Sequence, residues 1–329
     1  MPKISVIVPI YNVAAYIEKC AISLLEQTLD DIEYLFVDDC STDHSIDVLQ
    51  QVVERYPERK AQVFIIRQPA NSGSAAVRLR GVKEATGDYI IHCDSDDWVD
   101  KDYYEKLYNK AIDENADIVV ADFIRESLHS SYVLETAVSN PPRRMVENMH
   151  NESFYCMLWN KLMRRYLLVD NNIFAVPGIN MWEDVHVCIR SLYFANKISK
   201  VEGTYYHYWI NPTSYTVNSA NERSYSQRKA CVAELEKFFA DKEGNWSLLI
   251  NYWKMLAKSY LLTPESSDLQ RWCNEYPEAL VDLDKMGAFS SIEKKKMYLA
   301  AQSPIKFSLY TLPEQILNIV KQIAKRVIR

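Results

Sequence analysis

Over its first 125 residues the chain keeps switching between two hydrophobic periods, and this alternation most limits what it can fold into. Ile4-Ser-Val-Ile-Val-Pro-Ile10 is a short run rich in β-branched residues, and Ile17, Cys20, Ala21, Leu24, Leu25 and Thr28 then share one helical face within residues 13–28. Ile32 to Val37 reads as a second strand. A helix follows with Ile46, Leu49, Val52, Val53 and Tyr56 as its stripe and Ser41 or Asp43 as its cap. Gln62 to Ile66 is a third strand, residues 73–85 a helix with Ala76, Leu79 and Val82 inward, and Tyr89 to Cys93 a fourth strand. Tyr104, Leu107, Tyr108, Ala111 and Ile112 mark another helix before the strand Ile118 to Phe123. Such repeated β–α units dictate an α/β fold, a mainly parallel sheet with helices on both faces. Ligands of such sheets bind at the carboxyl ends of the strands. Polar clusters stand at those ends: Tyr11-Asn12, Asp38-Asp39 and Asp94 to Asp97.

The rhythm stops after residue 125. Residues 125–150, with Pro141-Pro142, read as a loop or lid; 151–216 are rich in aromatics; from about 220 the pattern is helical. Three segments are therefore expected: a core over 1–125, a second part over 126–219 and a helical C-terminal region over 220–329. The last helix carries Leu312, Ile316, Ile319, Val320, Ile323 and Val327 on one face, with Lys321, Lys325, Arg326 and Arg329 among or behind them. It reads as a basic amphipathic helix for peripheral membrane contact, or as a packed terminal helix or homodimer contact. A net charge of -6 disfavours nucleic acid as a partner. The seven cysteines are scattered without metal-ligand spacing and read as buried thiols in a reducing compartment. Met1 leads straight into a strand-like run and no stretch has the roughly 18 apolar residues that span a bilayer. The expectation is a cytoplasmic protein.

The acidic cluster Asp94-Ser-Asp-Asp97 carries the most chemistry. Carboxylates at i and i+2 can converge where a strand breaks, and hard cations take oxygen ligands that a nucleoside diphosphate completes. The same residues would also serve as a turn or cap before the next helix. Asp39 could accept the N3 proton of uracil, and the Tyr11 ring could stack on the base. Arg78 could pair with phosphates, whereas Arg80 reads as a solvated helix face.

Taken together, Ser5-Val-Ile-Val-Pro-Ile-Tyr-Asn12, Val37-Asp-Asp-Cys-Ser-Thr-Asp43, Asn71-Ser-Gly73 with Arg78, Ala85-Thr-Gly-Asp-Tyr-Ile90 and Asp94-Ser-Asp-Asp97 resemble glycosyltransferase family two. The resemblance is strong over 4–125 and looser through Trp159-Asn-Lys-Leu162, Glu183-Asp184 and Tyr205 to Ser214. It implies the GT-A fold, Rossmann-like with a C-terminal helical region, and usually inversion at the anomeric carbon. It also implies a UDP-sugar donor and a glycan or lipid-linked saccharide acceptor in surface polysaccharide synthesis, at the inner face of the membrane. Donor-binding positions would be Pro9, Tyr11, Asp38, Asp39, Arg78, Asp94 and Ser95, with Asp94, Asp96 and His207 holding Mn2+ or Mg2+. Cys40 stands where the family often has Gly, and Leu79 where it often has Asn.

Displacement by a hydroxyl needs a base. The resemblance assigns this to the Glu183-Asp184 pair, with Asp184 as base and Glu183 orienting, or the reverse; capping of the following helix is the plain alternative. Asn160, Lys161 and Trp182 are the acceptor-side candidates, although a lone His207 in an aromatic run and Trp159 suit core packing as well. A metal-dependent nucleotidyltransferase would carry a Gly- and Arg/Lys-rich loop where Tyr11-Asn12-Val13 stand. An inactive relative would have lost the carboxylates. A dinucleotide oxidoreductase would show G-x-G-x-x-G, which is missing after the first strand.

Overall fold

The computed structural model describes residues 1–152, 154–211, 221–263 and 268–313. The chain forms two compact units, residues 1–146 with 154–217, and residues 147–153 with 218–329. Strands from the segments expected as 1–125 and 126–219 share one sheet in the first unit.

Four strands, β1 (Ile4–Ile10), β2 (Ile32–Asp38), β3 (Val63–Arg67) and β4 (Tyr89–His92), lie parallel in the order β3-β2-β1-β4. The helices between them are α1 (Ile17–Leu25), α2 (Ser45–Glu54) and α3 (Ser74–Glu84). Alternate residues of a strand point to opposite faces, so Ile4, Val6, Val8 and Ile10 join the core under α1 and α2, while Ile7 faces α3 at Gly81. Helices on both faces are thus as the sequence predicts. The inward side of α3 differs from expectation: Ala75, Val77, Gly81 and Val82 are buried, with Arg78 largely covered, rather than Ala76 and Leu79. Gly81 sits so close to β1 that a Cβ there would meet the Ile7 side chain, and on this helix the polar Arg78 is mostly covered while Leu79 is half-covered.

Beyond β4 the sheet becomes mixed. After β5 (Trp98–Val99), α4 (Tyr103–Asp113) and β6 (Ile118–Glu126) come β7 (Ser131–Leu134), α5 (Pro142–Asn148), β8 (Lys161–Arg164), α6 (Arg165–Asp170), α7 (Glu183–Phe194) and β9 (Ile198–Trp209). β8 inserts antiparallel between β4 and β6, and β9 runs parallel to β6 and antiparallel to β5. The region read as a loop or lid over 125–150 contains a hairpin of β6 with β7 and the helix α5.

The second unit is helical, as the pattern from residue 220 predicts. Asn221 caps α8 (Glu222–Phe239), α9 (Ser247–Lys258) follows, and a Ser290/Glu293 capping box opens α12, which comes after α10 (Leu269–Asn274) and α11 (Pro277–Val281) and spans Ser291–Gln302. Buried Lys258 donates to the carbonyls of Glu275 (2.9 Å) and Tyr276 (3.2 Å), satisfying carbonyls beyond the end of α10. The tail from Ile316 on, and Pro212 to Ser214, lie outside the described residues.

The parallel half is pinned by one buried carboxylate. Glu33 on β2 accepts from the Ser5 hydroxyl, the Thr86 and Gly87 amides and the Thr86 hydroxyl, fixing the turn from α3 into β4. Glu33→Ala would take the partner from the buried Ser5 hydroxyl and from the Thr86 amide and hydroxyl, while the Gly87 amide keeps Ser5, and is expected to cost about 2 kcal/mol in urea unfolding; a loss under ~0.5 kcal/mol would show that water replaces the carboxylate.

Candidate active site

The first two strand ends and the loop before α3 form one hydrogen-bonded floor. At the end of β1, Tyr11 is 49% exposed, and the side chain of Asn12 accepts from the Thr42 amide at 2.8 Å. Pro9 lies in β1 opposite Val37. Asp38 accepts from the Ser41 amide at 2.9 Å and closes the turn, while Asp43 rather than Ser41 receives the Ser45 amide at the start of α2. Cys40 adopts φ +61, the left-handed backbone that glycine tolerates best, and its thiol donates to the Gln68 carbonyl at 3.1 Å. The departure from glycine therefore leaves the turn intact. Asp39 is buried and accepts from the Ser72 amide (2.7 Å), the Ser72 hydroxyl (2.8 Å) and the Gly73 amide (2.8 Å). A carboxylate offers about four acceptor positions. Three are filled, which leaves one for a ligand donor such as an imide N–H.

The acidic turn after β4 separates its carboxylates by role. Asp97 is buried and accepts from the Tyr206 hydroxyl and the Trp209 amide, both at 2.7 Å, tying the turn to β9. Burial and the charge of Asp96 push its pKa well up. Asp94 accepts from Arg78 Nη2 at 2.7 Å, Asp96 accepts from Asn211 at 3.0 Å, and Ser95 between them is buried. Burial first, then the neighbouring Asp94 charge, raise the pKa of Asp96. These hard oxygen donors fit Mg2+ or Mn2+. Among the described residues no three His, Cys, Asp or Glu converge as a complete cation site. A cation here would be shared with a ligand's oxygens.

Helix α3 joins this turn to the Glu183-Asp184 pair. Arg78 reaches Asp94 with Nη2 and lies 3.5 Å from Glu183 through Nε, while its buried Nη1 has no hydrogen-bond partner. Ser74 donates to Glu183 at 3.0 Å, and Asn180 accepts from the Ala75 amide at 3.0 Å. Gly73, at φ +84, lies so close to Asn180 that a Cβ there would meet its amide at 2.3 Å, so the two loops touch without room for a side chain. Trp182 precedes α7 with φ +69 and is half-buried. Glu183 has its pKa raised to about 7 by burial first and then by the Asp184 charge, with Arg78 opposing. Burial also raises the pKa of Asp184, which accepts from the Val185 amide at 2.8 Å through one oxygen. Carboxylates whose pKa is raised by burial and by one another can exchange a proton near neutral pH.

Three expected contacts fall elsewhere. Asn160 and Lys161 are buried at the start of β8. Asn160 donates to the Ala121 carbonyl at 3.1 Å, and Lys161 donates to Tyr155 O, Met157 O and the Asn160 side chain at 2.6–2.8 Å. Their polar atoms hold the approach to β8 and are spent before any acceptor arrives. His207 is engaged at both ring nitrogens, by Glu126 at 2.6 Å and Asp100 at 3.0 Å, and stacks on Trp98, which leaves no nitrogen for a metal. Trp159 packs in the core against Tyr206, and Arg80 pairs with Glu84 on the helix surface. Conversely, Ser74, Asn180, Tyr206 and Asn211 belong to the site's framework although the sequence assigned none of them a role; Asn71-Ser-Gly73 pointed toward Ser74, and the stretch from Tyr205 to Ser214 contains Tyr206 and Asn211.

Residues 5–169 match the family model described as Glycosyl transferase family 2. The chain belongs to this family. Among its family 2 relatives, EpsH of Bacillus subtilis, described as a glycosyltransferase, is 32% identical over 220 residues, 65% of this chain and 62% of EpsH. A poly(ribitol-phosphate) beta-glucosyltransferase of Bacillus spizizenii is 31% identical over 214 residues, 63% of this chain and 32% of its own length. The alignments thus span less than two thirds of these relatives. The GT-A architecture is shared with the crystal structure of S. aureus TarS 1-349 in complex with UDP-GlcNAc, at a TM-score of 0.68 and 20% identity, covering 96% of this chain and 92% of that one. In this family 2 chain the matched region carries the floor and the acidic turn; Glu183-Asp184 lies beyond it.

Removing Arg78 takes away the cation that opposes the upward shift of Glu183. A carboxylate whose folded pKa is raised is tolerated below its unfolded value and costs stability as pH rises through the folded one. Arg78→Met is therefore expected to lose about 2 kcal/mol at about pH 8 and clearly less at about pH 5.5, read from paired thermal melts. Equal losses at both values would mean that Arg78 contributes packing alone.

Proposed function

We propose that the protein is an inverting, metal-dependent hexosyltransferase that moves a sugar from a UDP-linked donor to a hydroxyl of a glycan or lipid-linked saccharide, in surface polysaccharide synthesis. The observation that carries this reading is the Arg78 bridge, which puts the acidic turn and the Glu183-Asp184 pair one guanidinium apart. Transfer between a diphosphate leaving group and a hydroxyl needs these two carboxylate sites side by side. The UDP and UDP-GlcNAc complexes of TarS support a uridine donor. A Mn2+ complex of a Pyrobaculum calidifontis mannosyltransferase, at a TM-score of 0.54, is compatible with a metal.

Tyr11 offers its exposed ring to the base, and the remaining acceptor position of Asp39 takes the uracil N3 proton. Asp94 and Asp96 would hold Mn2+ or Mg2+, whose charge, when bound, offsets the negative charge developing on the diphosphate. Arg78, beside the acidic turn, lends its positive charge to the diphosphate. Asp184 takes the proton of the acceptor hydroxyl as its oxygen bonds to the anomeric carbon on the face opposite the diphosphate. The carbon–oxygen bond to the diphosphate breaks in the same step, so one displacement inverts the centre. Glu183, held by Ser74 and Arg78, orients the acceptor, with Trp182 beside it. A nucleotide-sugar donor places the reaction in the cytoplasm, and a lipid-linked acceptor would bring the enzyme to the inner membrane face.

Calorimetric titration with UDP, GDP and dTDP, each with and without Mn2+, tests the donor half. Metal-dependent UDP binding that Asp96→Ala abolishes is expected; equal binding of all three nucleotides without metal would refute it. For the acceptor half, Asp184→Asn should lower kcat about 1,000-fold at unchanged UDP affinity. Wild-type kcat/KM should climb with pH as the coupled pair gives up its proton, with the acid limb near 7, where Glu183 is placed. A flat profile between about pH 5 and 8 would remove the pair from the proton transfer.

A further inference from the structure

The second unit carries an apolar surface paired with a strong local charge. In the helix of residues 304–313, Phe307 and Thr311 are buried, whereas Ile305 is 75% exposed, Leu309 67% and Leu312 47%. Positions i, i+4 and i+7 share one face, so the three form a continuous stripe toward solvent. A run of exposed branched side chains on a soluble domain marks a surface that something covers.

The charge around the stripe says what. Residues 291–329 hold eight Lys and Arg against Glu293 and Glu314, whereas the whole chain is -6, so positive charge is concentrated at this end of an otherwise acidic protein. Lys295 lies over the Tyr310 ring at 5.0 Å, which sets the Lys294-Lys295-Lys296 run of α12 against the helix that bears the stripe. Lys306 stands exposed next to Ile305. The same spacing continues in the sequence as Ile316, Ile319 and Ile323, accompanied by Lys321, Lys325, Arg326 and Arg329.

We propose that this C-terminal surface docks on an anionic lipid bilayer, with Ile305, Leu309 and Leu312 entering the boundary between headgroups and acyl chains and the lysines facing lipid phosphates. An anionic bilayer satisfies both features at once: apolar area for the stripe, and negative charge beside it for the lysines. A second copy meeting stripe to stripe would bring two basic segments together and repel. A nucleic-acid backbone would take the charge and leave the stripe in water. The inference does not depend on the sugar-transfer reading, since none of its residues lies in the acidic turn or in the Glu183-Asp184 pair.

The test is co-sedimentation of the full chain with vesicles of phosphatidylcholine alone and of phosphatidylcholine mixed with phosphatidylglycerol, at low and high salt. Binding to the mixed vesicles, weakened by salt and about tenfold lower in the double variant Ile305→Ser/Leu309→Ser and in Lys294→Gln/Lys295→Gln/Lys296→Gln, is expected. The positions of the Ser variant are exposed, and unchanged circular dichroism and thermal melting would show that its fold is intact. Equal binding to both vesicle types, or full binding by an intact Ser variant, overturns the proposal. So does a dimer in light scattering that the Ser variant splits, which would make a second copy the occupant.

Discussion

The geometry of the site rests on one guanidinium. Arg78 is the only cation among the described residues that pairs with the acidic turn, and it spends two of its nitrogens on carboxylates that belong to different segments, Asp94 after β4 and Glu183 at the head of α7. Charges so little exposed to water repel strongly unless a counter-ion stands between them. The raised pKa of Glu183 despite Arg78 shows that repulsion and burial still outweigh the attraction. Lysine would have to meet both partners from one nitrogen, whereas the guanidinium meets them from two.

Arg78 can do this only because α3 is fixed at its first turn from both sides. Asp39, just after β2, takes the Ser72 and Gly73 amides that lead into the helix, and Asn180 from the loop before α7 takes the Ala75 amide in its first turn, which would otherwise be orphaned. The contact at Gly73 shows how tightly the loops meet. Asp97 does the corresponding work on the other side, accepting from the Tyr206 hydroxyl and the Trp209 amide, and so setting Asp94 and Asp96 against β9.

Much of this was legible in the sequence, and the limits have physical causes. The β–α alternation gave the four parallel strands because periodicity is local. It gave no hint that β8 enters antiparallel between β4 and β6, since strand order depends on contacts far apart in the chain. The carboxylate motifs stood out by spacing, yet Asp96 and Asp97 look alike until the Tyr206 hydroxyl tells them apart. The stripe of α3 misled, because Gly81 lets the helix sit close at a point that hydrophobicity does not mark. Asn160, Lys161 and His207 have the chemistry of binding residues, and only their partners Tyr155, Met157, Glu126 and Asp100 reveal that their polar atoms are already in use.

The capping of α3 has a consequence for motion. The amides of Ser72, Gly73 and Ala75 are held by loops that approach from opposite directions, and Arg78 hangs one turn further along the same helix. Fraying of that first turn would therefore release Asp39, Asn180, Asp94 and Glu183 in a single opening event. In hydrogen-exchange terms these amides are expected to open as one cooperative unit, so that the Asp39 side and the Glu183 side loosen together.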